Sequence, residues 1–258
     1  MSTDHSQLAL RLRTAYTAGV IAPLRDGLEP TDAAGAYSVQ LLNTQYWVAQ
    51  GRRIVGRKVG LTAKTVQAQF GVNQPDFGVL FDDMAIPDGG RLSPSKLLQP
   101  RAEAEVAVVL AKDISDPGVT VETAASCIAQ AVAAIEIVDS RIADWKISFA
   151  DTVADNGSSA YYALGKTFKP LDGLDLWSCG MVLEINGEVR SLGAGAACLG
   201  HPLNAVAWLA RTLAERGQSL RKGDIILSGA LGPMVALAAG DQVRATIGGL
   251  GSVEFTYA

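Results

Sequence analysis

From Gln7 to Gly51 apolar side chains recur three and four positions apart, as in Leu8, Leu12 and Tyr16 and again in Tyr37, Leu41, Leu42 and Trp47. That spacing lines one face of an α-helix. Two helices are expected here, with Pro30-Thr31 supplying the break and the second N-cap, and Gly51 the stop. Beyond Ile54 the period changes. Short β-branched runs punctuated by glycine follow one another: RIVGRKVGL, GVLF, AEVAVVLA, AAIEIVD, GMVLEI, DIILSG, QVRATI and SVEFTY. These read as strands. Helical spacing returns chiefly in Thr120–Ala134 and in Pro202–Arg216, the latter opening on a proline suited to a first helical position and ending near Gly217. Asn186-Gly187, between GMVLEI and EVRSL, favours the paired positive φ angles of a type I′ hairpin, so part of the sheet should be antiparallel. No repeat or long linker interrupts the chain. The expected organisation is a helical N-terminal region, residues 1–51, followed by a β-rich region, residues 52–258.

Composition narrows the partners. With 258 residues and 48% hydrophobic content the chain can bury a substantial core. Its formal net charge is −4, with Lys and Arg scattered, so it has no electrostatic footprint for nucleic acid or an anionic membrane. A small-molecule partner is expected. Cys127, Cys179 and Cys198 are far apart and lack CxxC spacing, which argues against both a disulfide framework and a zinc knuckle and suits a reducing compartment. The opening MSTDHSQLALRLRTAY lacks the basic patch and apolar run of a signal peptide, and no apolar stretch approaches the roughly 20 residues that span a bilayer. A cytoplasmic location is the expectation.

The segment RAEAEVAVVLA is the most informative. As a strand it puts Glu103, Glu105, Ala107 and Val109 on one face and Ala102, Ala104, Val106 and Val108 on the other. Its apolar surroundings imply burial, where unpaired carboxylates are costly. Glu136 sits in AVAAIEIVDS, another core-like run. Three acids in apolar strands suit a hard divalent cation, magnesium or manganese rather than zinc or copper. Neutralisation by Arg101, Arg141 or Lys146 is the alternative. Lys58, in RKVGLT, is a candidate for proton transfer or for holding an anion, or else a surface lysine. Asp76 lies between Pro75 and Gly78 in what reads as a loop, where an Asx turn is the ordinary role. DNGSS offers Asp155, Asn156, Ser158 and Ser159 as a polar pocket wall. With only His5 and His201 and no GxSxG elbow, a serine nucleophile is disfavoured. His201, before Pro202, reads as structural. GAGAACLG lacks the GxGxxG pattern of a dinucleotide site.

Taken together, GRKVGLT, QPDFGVLFDDM, QPRAEAEVAVVL, IEIVDSR, DTVADNGSSAYYALG, GAACLGHPLNAVAWLARTLAERG, LSGALGPMV and IGGLGSV closely resemble the 2-keto-4-pentenoate (2-hydroxypenta-2,4-dienoate) hydratase family of the fumarylacetoacetate hydrolase superfamily. The blocks run in order over nearly all of the chain past Gly51. The resemblance implies an α+β fold with a mixed, partly barrel-like β core and a helical N-terminal region. It implies Mg²⁺ or Mn²⁺ held by Glu103, Glu105 and Glu136, with Lys58, Asp76 and Ser158 as catalytic residues, Ser159 being an adjacent alternative to Ser158. The implied activity is a hydro-lyase of aromatic meta-cleavage catabolism, adding water to a 2-hydroxydienoic acid. It also implies a homo-oligomer, and association with a sister decarboxylase or a downstream aldolase. A 4-oxalocrotonate-type decarboxylase, which shares the ExE pair and GLGSV, is the near rival, and a non-catalytic partner in such a complex a further one. Hydrolysis of a carbon–carbon bond would call for a water-activating histidine, and neither His5 nor His201 lies in a block that matches such a residue.

Overall fold

The computed structural model describes residues 5–258, so the first four positions of the N-terminal segment lie outside the described residues. Helices α1 (His5–Ala18) and α2 (Ala33–Ala49) form where the apolar periodicity puts them. Asp32 rather than Thr31 caps α2, its carboxylate accepting the Gly35 amide at 2.9 Å. Gly51, at φ 96°, then turns the chain away in a conformation that a side chain would resist.

Strands β1 (Ile54–Gly60), β2 (Asp76–Phe81), β3 (Ala85–Ile86), β4 (Gly90–Leu92), β5 (Pro100–Leu110), β6 (Ile128–Asp139) and β7 (Ser159–Leu164) follow, with short helices α3 (Lys64–Gln69), α4 (Val121–Ala125) and α5 (Phe149–Ala154) between them. The remainder is β8 (Gly180–Ile185), β9 (Glu188–Ala194), α6 (Pro202–Glu215), β10 (Ile225–Ala230), β11 (Val235–Ala236), β12 (Gln242–Ile247) and β13 (Gly251–Tyr257). The larger sheet runs β2-β1-β10-β5-β6-β7-β3, with β11 on the end of β5, and curls into a half-barrel. The smaller runs β4-β13-β12-β8-β9. Both are mixed: β1 with β10, β3 with β7 and β4 with β13 are parallel, and the other pairings antiparallel. Asn186 and Gly187, at φ 55° and 80°, make the β8–β9 hairpin turn as expected. Among the described residues no helix is long and apolar enough to cross a membrane.

One expected helix is largely absent. Of Thr120–Ala134 only Val121–Ala125 is helical, capped by Thr120, and from Ile128 the chain is β6. An alanine-rich run buried on both faces carries no period that separates strand from helix. Pairing decides instead, because β6 is hydrogen-bonded to β5 along almost its whole length and to β7 on its other edge.

That pairing organises the core. Ala104, Val106 and Val108 of β5 and Ala133, Ile135 and Ile137 of β6 pack in one cluster with Leu183, Ala245, Val253 and Phe255 of the smaller sheet. The opposite face of β5 and β6 carries the three glutamates at one end and a second apolar cluster, with Ala107, Val132, Ala134, Leu80 and Leu227, further along. Helices α1 and α2 join the main core through Leu8, Leu12, Ala36 and Val39. The link after α5 is pinned by an ion pair almost wholly out of solvent. Arg141 Nε donates to Asp155 Oδ1 at 2.6 Å, Arg141 Nη2 to the Asp155 carbonyl at 2.7 Å, and the Arg141 amide to Asp155 Oδ2 at 3.0 Å. Removing one member strands the other charge in the interior. Asp155→Ala should lower unfolding free energy by about 3–5 kcal/mol in urea denaturation; a loss under about 1 kcal/mol would show that water reaches Arg141.

Candidate active site

Register rather than proximity in sequence assembles the site. Glu103 is paired with Glu136 across β5 and β6, and Glu105 lies two residues along the same face. On the neighbouring strands Lys58 is opposite Gly78, and Gly60 opposite Asp76, so Lys58 and Asp76 also share a face. Asp76 opens β2 and is not in a loop, contrary to expectation. One carboxylate oxygen from each of Glu103, Glu105 and Glu136 can be chosen so that all three lie within 4.8 Å of one another. Glu105 and Glu136 are buried and Glu103 is half-buried.

Lys58 is the cation at this cluster. Its Nζ lies 3.4 Å from Glu136 Oε2 and donates to the Gly157 carbonyl at 2.9 Å. Of the other charges that the sequence offered, Arg141 and Lys146 are paired with Asp155 and Asp144, and Arg101 makes no ion pair with the glutamates, though its charge opposes the rise of Glu103. One ammonium group therefore faces the carboxylates of Glu103, Glu105, Glu136 and Asp76. The imbalance shows in their protonation. Burial and the charge of Glu136 push Glu103 up to about 7. Burial and both neighbouring glutamates push Glu105 well above the carboxylate range. Burial raises Glu136 and Asp76, against the pull of Lys58 in each case. Burial alone would lower Lys58, but Glu136 and Asp76 outweigh it and hold the ammonium form above the ordinary lysine range.

Several of these acceptors have no donor. Glu105 Oε2 takes the Gly229 amide at 2.7 Å, but Glu105 Oε1, both oxygens of Glu136 and Asp76 Oδ1 lack hydrogen-bond partners while out of reach of solvent. Buried carboxylate oxygens left this way are expensive unless something positive meets them. The donor set is oxygen only, which fits Mg²⁺ or Mn²⁺ and not a thiophilic ion. The residues present therefore fit a divalent cation.

The wall opposite Lys58 is a turn of three residues, Asn156, Gly157 and Ser158, at φ 60°, 62° and 54°. Asn156 holds it in place by exchanging hydrogen bonds with β2: its Oδ1 accepts the Val79 amide at 2.7 Å and its Nδ2 donates to the Val79 carbonyl at 2.9 Å. Gly78 has no room for a side chain, because a Cβ there would overlap the Asn156 carbonyl oxygen. Ser158 faces the cavity with Thr152, whose hydroxyl lies 3.5 Å from that of Ser158 and 3.4 Å from Asp76 Oδ2. Ser159 lines a separate cavity, and its hydroxyl lies close enough to Glu136 to lower that carboxyl. His201 caps α6, its Nδ1 accepting the Leu203 amide at 3.0 Å, and is structural as read.

The cavity holds about 490 Å³. Lys58, Asp76, Glu103, Thr152 and Ser158 line its polar end, and Leu61, Val66, Phe70, Val138 and Ile147 a largely apolar wall. Sequence reasoning missed Thr152, the Gly157 carbonyl and the Gly229 amide. A threonine in a short buried helix has no periodic signature, and backbone groups have no sequence signature at all. Ser148 and Asp151, which cap α5 reciprocally, were the one readable sign that a helix starts there.

Comparison with known proteins places the chain in a family. Residues 53–257 match the fumarylacetoacetate (FAA) hydrolase C-terminal family. The chain is 52% identical over 260 residues to a 2-keto-4-pentenoate hydratase of Burkholderia vietnamiensis, covering 100% of this chain and 99% of that protein. It is 42% identical to a 2-hydroxyhexa-2,4-dienoate hydratase of Comamonas testosteroni, covering 99% and 97%. Its fold superposes with a TM-score of 0.94 on 4-oxalocrotonate decarboxylase from Pseudomonas putida G7, complexed with magnesium and adipate, at 37% identity and covering 98% and 97% of the two chains.

Glu105→Gln keeps the shape and the acceptor for Gly229 while removing one negative charge. In calorimetric titration the parent chain should bind Mg²⁺ or Mn²⁺ and the variant should not. In EDTA, where Glu105 already holds a proton, the variant should melt within about 2 °C of the parent. A variant that binds the ion like the parent would remove Glu105 from the ligand set.

Proposed function

This chain belongs to the fumarylacetoacetate hydrolase family and is a hydratase, a hydro-lyase of aromatic catabolism; we infer that it adds water to 2-hydroxypenta-2,4-dienoate or an alkyl-substituted analogue, giving a 4-hydroxy-2-oxo acid. The observation that carries the site assignment is the set of three glutamates with converging oxygens, both of those of Glu136 and one of Glu105 lacking a hydrogen-bond donor, facing a single lysine. In this reading Glu103, Glu105 and Glu136 hold a divalent ion, Mg²⁺ or Mn²⁺. When bound, such an ion supplies Lewis-acid stabilisation of negative charge developing on the C2 oxygen of the substrate.

The remaining work falls to the chain's own residues. Ketonisation moves the C2 hydroxyl proton away and delivers one to C5, giving a 2-oxo-3-enoate. Water then adds across C3 and C4, the hydroxyl to C4 and a proton to C3, so that the net change is one water gained. Lys58, held as the ammonium ion by Glu136 and Asp76, favours anionic forms of the substrate and donates hydrogen bonds to them. Asp76, raised by burial, is the better proton carrier. Thr152 and Ser158 orient Asp76 and the attacking water. The apolar wall keeps bulk water from competing for these hydrogen bonds.

The decarboxylase reading rests on the solved relative at 37% identity, whereas the hydratase relatives reach 52% over the full chain. Assembly is part of the proposal: exposed Leu10 and Tyr16 on α1 and Leu41, Tyr46 and Val48 on α2 support a homo-oligomer, which could also meet a sister decarboxylase or a downstream aldolase. A cytoplasmic location is likewise proposed.

Two measurements test the reaction. The purified chain should consume 2-hydroxypenta-2,4-dienoate, followed by loss of its absorbance, only with a divalent ion present. It should release no CO₂ from 4-oxalocrotonate. CO₂ release without dienoate loss would reverse the choice. Asp76→Asn should lower kcat about 10²–10⁴-fold, the usual worth of a positioned proton carrier, with KM changed only a few-fold. A kcat within threefold of the parent would exclude Asp76 as that carrier.

A further inference from the structure

Against three residues that line the cavity stands a cation with no acid to answer it. Arg101 precedes Glu103 by two residues in β5, on the same face, and is paired across the sheet with Val138 on one side and Ala236 on the other. Its Cζ lies 4.5 Å from the centroid of the Trp145 ring, and its Nη1 lies 3.7 Å from Met234 Sδ. Val138, Trp145 and Met234 all line the cavity. Among the described residues Arg101 makes no ion pair, whereas Lys58 and Arg141 are both engaged with carboxylates. Its charge reaches Glu103 and opposes the rise of that carboxyl.

The surface that presents Arg101 is held firmly. Trp145 Nε1 donates to the Gln99 carbonyl at 3.0 Å, which fixes the indole under the guanidinium. Asp144 and Trp145 take φ of 57° and 55°, consecutive left-handed conformations that non-glycine residues rarely adopt. An aromatic face leaves the edge of a stacked guanidinium free for the planar, two-oxygen partner that it matches best.

The charge balance says which partner that is. A dienoate would bring a fifth carboxylate against the three positive charges of Lys58 and a bound divalent ion. Arg101 supplies a fourth and, among the described residues, has no carboxylate partner of its own. The far wall of Leu61, Val66, Phe70 and Ile147 offers no cation to a second carboxylate but suits an uncharged carbon tail.

We propose that Arg101 is a substrate-binding and specificity-determining residue, which receives the single carboxylate of the substrate while the apolar wall takes the uncharged end. The identity of the substrate rests on the hydratase reading; the anion site does not. Arg101→Gln and Arg101→Lys, as full chains loaded with Mg²⁺, test it. Arg101→Gln should raise KM for 2-hydroxypenta-2,4-dienoate at least tenfold with kcat within about threefold, and Arg101→Lys should recover part of the loss. Added salt should raise KM of the parent more than that of Arg101→Gln.

Pyruvate and its neutral methyl ester provide a readout independent of turnover. In calorimetric titration the parent should prefer pyruvate, and that preference should fall about tenfold in Arg101→Gln while Mg²⁺ affinity stays within twofold. An unchanged preference for pyruvate would overturn the proposal. So would a joint fall in pyruvate and Mg²⁺ affinity, which would mean that Arg101 acts only through Glu103. If the parent leaves the dienoate untouched the hydratase reading fails, and the pyruvate pair still decides the anion site.

Discussion

The structure turns on a deliberate imbalance of buried charge. Four carboxyl groups, Glu103, Glu105, Glu136 and Asp76, face one ammonium group, Lys58, at one end of a curled sheet. Without a cation the groups ease their repulsion by holding protons, which is why burial and mutual repulsion raise Glu103 and Glu105. In the proposed reading a divalent ion would replace those protons with a stronger interaction, at a place where the low dielectric makes every charge count. The arrangement is costly to fold and useful for the same reason.

What makes the cost bearable is the scaffold on which the charges sit. Glu103, Glu105 and Glu136 project from two long strands that pair along almost their whole length, and the reverse face of those strands is packed against the smaller sheet. The carboxylates cannot separate without breaking strand pairing. The opposing wall is a loop, yet it is nearly as constrained. The Arg141–Asp155 ion pair anchors its start, Asn156 joins it to β2, and Lys58 itself bonds to its carbonyl. A loop so held can keep three consecutive residues at positive φ and still present Ser158 to the cavity.

The cavity divides its labour between two kinds of wall. In the proposed reading the polar end fixes one end of an organic acid, and the apolar wall excludes water and meets carbon. Relatives named for a five-carbon and a six-carbon acid share 52% and 42% of this sequence over almost its full length. A change of one methylene at an apolar wall such as this one alters binding modestly without touching the chemistry.

Much of this was legible before any coordinates. Alternation alone put Glu103 and Glu105 on one face. Glycine-punctuated β-branched runs gave most of the strands, Asn186-Gly187 gave the hairpin, and colinear blocks gave the family and the α+β class. These are local properties, carried by residues within a few positions of one another. The rest was not local. Periodicity mistook the start of β6 for helix because a strand buried on both faces has no polar side to reveal its period, and only pairing with β5 and β7 settles it. The opposition of Glu136 to Glu103, of Lys58 to the Gly157 carbonyl, and of Arg101 to Trp145 follows from strand register and chain crossings between segments that local patterns leave unrelated. The chain by itself determined which groups could do the chemistry; tertiary structure decided which of them meet, because burial and charge compensation are properties of neighbours in space.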